Sequence, residues 1–325
     1  MTSNNLAPRF RSKKAYIKSQ QYVVSELGRM HTEFDIRIAA FENGGNYDHF
    51  TLTKVGFSPM PYRQISTAVA DVFENGGEFK LESFFSLLLT IYLDLYVRAL
   101  QKNRDENEGT SRQLPSILPP DSLGDRLMML SYCCNQSQLK NITALMLDLF
   151  DLGFVRGEET NLTQLFLFRL AEKEFGFEPR NWAADKYKWA VDPRKEEPLF
   201  QALWDHWDSD DHGLLTDLLT QLLNRHTFQA SRNNKDGGRD FGAPAMEQVP
   251  WEVFFLYRLR KIKGLSNPVL NHRLMEPPFD LLPEPETHHK LCPRGARLLA
   301  AARKHFPDFD QLILSWRIRS WELLV

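Results

Sequence analysis

The clearest signal in this chain is the spacing of its apolar residues. Over residues 12–42, Tyr16, Val23, Leu27, Met30, Phe34 and Ile38 recur at steps of three, four and seven. That spacing predicts one long amphipathic helix. It runs into FENGG at 41–45, where Asn-Gly-Gly supplies the left-handed backbone that stops a helix. A second helical run, PYRQISTAVADVF, ends in the same pentamer at 73–77. The flanks of the two copies do not match, so they read as two similar helix stops and not as a duplication.

A third helix is expected over about 78–104, running out into QKNRDENEGTSRQLPSILPP, the best linker candidate. Three consecutive helical segments follow: DSLGDRLMMLSYCC, QSQLKNITALMLDLFDLG and TNLTQLFLFRLAEKEFG. Asp121 and Thr160 are expected N-caps, with Gly153 and Gly176 as stops. Residues 193–210 and 212–227 read as a further helix pair. A polar insert, ASRNNKDGGRDFGAPAMEQ, then leads into VPWEVFFLYRLRKIKGLSNPVLNHRLM at 249–275. Residues 292–307 and 308–325 read as closing helices. Short connections favour antiparallel neighbours, and no alternating strand pattern occurs. The expected fold is therefore all-α, with antiparallel helical hairpins forming a bundle or short solenoid. An N-terminal helical region over 1–110 and a hairpin domain over 118–325, or one continuous domain, are the expected organisation.

Composition narrows the function. A net charge of −2 argues against a dedicated nucleic-acid binder. Three cysteines, Cys133, Cys134 and Cys292, are too few for a disulfide framework and favour a reducing cytoplasm. The most apolar stretch, residues 81–100, carries Glu82, Asp94 and Arg98 and falls short of a membrane span. The first residues carry Arg9, Arg11, Lys13, Lys14 and Lys18 with no apolar run behind them, so no secretory signal is expected.

Candidate chemistry is sparse. RDFGAPAME at 239–247 contains a DFG but lacks the other landmarks of a kinase. His288 and His289 have no partners for a metal site in their segment, and Cys133–Cys134 sits in an apolar helix as a pair of small hydrophobes. The densest cluster is LWDHWDSDDHG, which carries Asp205, His206, Asp208, Asp210, Asp211 and His212. These residue types bind divalent metals, so a helical metal-dependent hydrolase using Asp205, His206, Asp208 and His212 is one alternative, although they match no recognised ligand spacing. Aspartates at a helix N-terminus, favoured by the dipole, are the plain alternative. A third reading makes Trp204, Asp205, Trp207, Asp208, Asp210 and Asp211 a docking surface for a basic partner, with tryptophan as anchor and carboxylates steering the encounter.

In 249–275, Val253, Phe254, Tyr257 and Ile262 are expected to face a core, while Arg258, Lys261 and Lys263 are expected to reach solvent. Glu252 falls in the first turn and the basic residues in the last turns before Gly264, so each charge complements the helix dipole. Arg260 is expected to be partly buried among apolar neighbours and, with His272, to anchor the exit loop.

This stretch, a proline-led W-E apolar helix with an arginine-rich end, a glycine and an N-P-x-x-x-H-R-L-M exit, resembles the C-terminal part of helical immunity proteins of bacterial polymorphic-toxin systems. DRLMMLSYCCNQSQLKNITALMLDLF and EEPLFQALWDHWDSDDHGLLTDLLTQLL resemble their helical pairs, so the likeness covers roughly residues 120–275. It implies a cytoplasmic, non-enzymatic, cofactor-free protein that neutralises a cognate toxin, as in type VI or contact-dependent secretion, by stoichiometric binding. An α-solenoid adaptor is the remaining alternative. Neither a nucleic acid nor a membrane is an expected partner, and the oligomeric state stays open.

Overall fold

The computed structural model describes residues 12–44, 59–76, 93, 97, 100, 120–151, 161–178, 192–231, 240–241, 244–285 and 291–311. The fold is all-α, and no strand occurs among the described residues. The helices are α1 (Lys13–Glu42), α2 (Pro59–Asn75), α3 (Pro120–Ser131), α4 (Gln136–Asp151), α5 (Leu162–Glu174), α6 (Pro193–Glu196), α7 (Pro198–His206), α8 (His212–Ser231), α9 (Pro244–Glu247), α10 (Trp251–Ile262) and α11 (Pro293–His305). A 3₁₀ turn covers Arg273–Met275. No helix among the described residues is long and apolar enough to cross a membrane. Only Leu93, Val97 and Leu100 of the third expected helix are described; they are helical and buried. Residues 312–325 lie outside the described residues.

Contacts divide the chain into two units. One comprises Met1–Tyr16, Leu118–Thr143 and Arg156–Pro285; the other comprises Ile17–Ile117, Ala144–Val155 and Glu286–Val325. In the second unit, α1, α2 and α11 bury Ile38, Phe41, Ile65, Val69, Val72, Leu298 and Ala302. Charges tie α11 to α1: Arg294 and Arg297 pair with Asp35, and Arg297 also reaches Glu42. Both FENGG pentamers end their helices through a left-handed glycine, Gly44 at φ 86° and Gly76 at φ 67°. A side chain there would meet the Cβ–carbonyl clash that glycine avoids.

In the first unit, α3 packs on α5 and α10, α8 packs on α7, α9 and α10, and α5 also meets α10 and α6. The close approach of α3 to α5 depends on Gly124: a Cβ there would stand 2.9 Å from the Cα of Gln164. The Gln164 side-chain amide enters that gap and donates to Asp125 Oδ1 at 3.0 Å and to the carbonyl of Asp240. Asp121 lies inside the first turn of α3, which begins at Pro120, and is therefore not its N-cap. Thr160 and Gly153 lie outside the described residues. Gly176 ends α5 at φ 68°, as its spacing predicts.

The expected single helix over 193–210 is broken. Glu197, the residue before Pro198, is extended at φ −133° and ψ 122°, because the proline ring crowds a helical conformation at its predecessor. Two short helices result, each with proline in its first turn.

Candidate functional site

Three buried arginines organise the first unit. Arg225 of α8 lies between Glu197 and Asp240, donating from Nε and Nη2 to the Glu197 carboxylate at 2.6 and 2.7 Å and from Nη1 to Asp240. Its Nη1 also donates to Thr163 Oγ1 at 2.7 Å, and the Thr163 N–H and hydroxyl donate to Asp240. The next residue, His226, places Nδ1 2.8 Å from Glu252 Oε1 and stacks on Phe241 with ring centroids 3.9 Å apart. His226 and Glu252 are both 0% exposed. Two successive residues of α8 therefore hold Asp240 and Phe241, the DFG pair whose kinase-like spacing carries a packing role. Glu252 does sit in the first turn of α10, but it faces a buried histidine and not solvent.

Arg258 corrects the expectation of a solvent-reaching cation. It is 1% exposed, and its guanidinium donates to the carbonyls of Ser131 at 2.9 Å, Tyr132 at 2.8 Å and Pro283 at 2.8 Å. Burial lowers its pKa from the usual value. The neighbouring Cys133 and Cys134 are fully buried, and burial raises the Cys133 thiol well above its ordinary range. That is the behaviour of small hydrophobes and not of nucleophiles.

Arg260, two residues on, performs the same operation on the acidic segment. From Nη1 it donates to the carbonyls of Trp207 at 2.8 Å and Ser209 at 2.9 Å, and from Nη2 to that of Ser266 at 2.6 Å. A guanidinium fork is suited to this, since its donors have fixed directions and no acceptor competes. Burial lowers the Arg260 pKa, and the nearby carboxylates of Asp210 and Asp208 oppose that shift. Gly264, left-handed at φ 76°, then closes α10 with Leu265 donating to the Arg260 carbonyl at 2.9 Å, a Schellman stop. His272 caps the 3₁₀ turn through Nδ1, which accepts from the Leu274 N–H at 3.1 Å.

The tryptophans and aspartates of 204–211 have distinct fates. Trp207 is 2% exposed and holds the turn from inside, with the Lys263 ammonium 4.7 Å from its ring centroid. Trp204 is half-buried, and Lys173 Nζ and Arg194 Cζ each lie 4.5 Å from its ring centroid. Asp205 is exposed and accepts from Gln201 at 2.7 Å. Asp208 accepts from Lys263 Nζ at 2.8 Å, and the same ammonium pairs with Glu174 at 3.1 Å. Burial works to raise the Asp208 carboxyl, but the hydrogen bond and charge of Lys263 outweigh it and its pKa falls below the usual range. Asp210 is exposed beside them. Asp211 caps α8, its Oδ1 accepting from the Leu214 N–H at 3.0 Å.

The hydrolase set is not assembled by this geometry. Asp205 turns to Gln201 and Asp208 to Lys263, while His212 Nε2 lies 2.9 Å from Ser266 Oγ. Among the described residues no group of three or more His, Cys, Asp or Glu side chains is placed to hold a metal ion. His288 and His289 lie outside the described residues, as do Arg9 and Arg11. What the segment provides is a short acidic turn on the surface, fixed from beneath by Arg260, Trp207 and Lys263.

These features define an all-α protein that exposes an acidic turn between α7 and α8. No protein family, curated protein or solved structure matches the chain.

Proposed function

We propose that this chain is a cytoplasmic immunity protein that neutralises a cognate bacterial toxin by direct, stoichiometric binding. The observation that carries the proposal is the segment 205–211: it exposes Asp205 at the end of α7 and Asp208, Asp210 and Asp211 on the turn that follows, whose main chain the Arg260 fork holds at Trp207 and Ser209. Carboxylates held in place before encounter lose little entropy on docking and steer a basic partner toward themselves. A toxin that handles nucleic acid presents a basic cleft, so an acidic turn that seats in it competes with phosphate for the same residues. The resemblance of residues 120–275 to helical immunity proteins points the same way.

The test is isothermal titration of the purified chain with the purified product of the toxin gene encoded beside it, at low and high ionic strength. A one-to-one complex that weakens as salt rises is the expected result. Absence of binding to every adjacent toxin product overturns the proposal.

A further inference from the structure

Both ring nitrogens of His226 face oxygen acceptors. Nδ1 lies 2.8 Å from Glu252 Oε1, and Nε2 lies 3.3 Å from the carbonyl oxygen of Glu247. Phe241 stacks on the ring, and neither His226 nor Glu252 is exposed. A main-chain carbonyl accepts and never donates, so Nε2 carries a hydrogen. The contact at Nδ1 needs one as well. A lone pair on nitrogen and one on a carboxylate oxygen repel at that distance unless a hydrogen stands between them. Whether that hydrogen sits on the ring or on Glu252, the pair holds one proton more than a neutral histidine beside a carboxylate, and its net charge is zero.

The surrounding charges favour the same proton count. Arg225, the preceding residue of α8, sets one positive charge against the two carboxylates of Glu197 and Asp240. An ionised Glu252 beside a neutral ring would add a second unbalanced negative charge to this interior. Its Oε2 has no hydrogen-bond partner among the described residues, and a buried anion short of donors is costly. Around the pair stand Glu247 on α9 and, at the 3₁₀ turn, His272 with Arg273 beside it. On α10 itself, Arg258 and Arg260 are turned to the carbonyls already described.

We propose that His226 and Glu252 share a proton that the unfolded chain gives up, and that this proton latches α9 and the first turn of α10 to α8. In the unfolded chain a histidine sheds its second proton above about pH 6.5, while the folded pair keeps it. Folding above that pH therefore takes up one proton, and the folding constant falls by up to about tenfold per pH unit as pH rises. Between about pH 4.3 and 6.5 the two states hold the same number of protons, and the latch is fully present. It is a device that alkali loosens.

The experiment follows urea unfolding of the full chain and of Glu252→Gln between pH 6.5 and 8, below the range near 8.5 where an unfolded cysteine ionises. The side-chain amide in Glu252→Gln donates its own hydrogen to Nδ1 and needs no shared proton. The wild-type folding constant is expected to fall more steeply with pH, by up to about tenfold more per unit. Parallel slopes overturn the latch, whatever the variant's absolute stability. Should Glu252→Gln not fold, the ¹⁵N spectrum of the wild-type His226 ring at pH 7.5 decides alone. Hydrogen on Nε2 supports the shared proton; a bare Nε2, with hydrogen on Nδ1 only, overturns it.

Discussion

Arg260 and Trp207 are joined through the main chain: the guanidinium of one donates to the carbonyl of the other at 2.8 Å across 53 residues of sequence. The bond links the last turn of α10 to the end of α7, and with the bond to Ser209 it holds the main chain that carries Asp208, Asp210 and Asp211. Arg260→Ala leaves three carbonyls without their donor and is expected to cost about 2–4 kcal/mol. Arg260→Lys keeps the charge but not the fork, and is expected to recover less than half of that. Chemical denaturation of the three proteins measures the difference. Amide exchange at 208–214 is expected to accelerate in Arg260→Ala.

His272 supplies a pH dependence. Burial, followed by the charges of His226 and Arg273, lowers its pKa to about 4. The native ring therefore stays neutral down to about pH 4, while the unfolded ring takes up a proton below about 6.5. Its contribution is fully present above pH 6.5 and is lost as pH falls toward 4. For a half-buried ring in partial contact with solvent the loss is about 1–2 kcal/mol. His272→Asn keeps an acceptor for the Leu274 N–H but cannot titrate, so urea midpoints of the variant are expected to lose that part of the acid dependence. Identical slopes for the two proteins between pH 6.5 and 4 would contradict the assignment.

Gly124 is the position where α3 and α5 tolerate no side chain. Gly124→Ala raises helix propensity by about 1 kcal/mol, yet its methyl must displace Gln164, whose Cα stands 2.9 Å from the new atom. Separating the helices also strains the bond from Gln164 to Asp125. A net loss of about 1–3 kcal/mol is expected, read from thermal melts. A stabilised variant would show that the contact yields freely.

Much of the fold was legible because it is local. The residue spacing of α1 and α2, and the glycines that end them, sit within a few turns of each other, and the structure ends both helices at those glycines. The break at Glu197–Pro198 was also written in the chain, in the proline inside KEEPLF, but apolar spacing on both sides concealed it. The roles of the arginines were not legible. Arg258 meets Ser131 across 127 residues and Arg225 meets Thr163 across 62. A basic residue on an apolar helix gives no local sign that distant carbonyls will receive it. The same holds for the aspartates: their number marks the segment, but only the structure separates the cap Asp211, the Lys263-paired Asp208 and the Gln201-bonded Asp205 from the exposed Asp210.

A basic toxin seated on the acidic turn would shield the backbone amides of that turn. Hydrogen–deuterium exchange of the chain, free and saturated with the adjacent toxin product, tests this seating most directly. Slowed exchange is expected at Asp208–Leu214, with the core of α10 unchanged. Protection confined to other segments, with the 208–214 amides exchanging as in the free protein, would contradict the account.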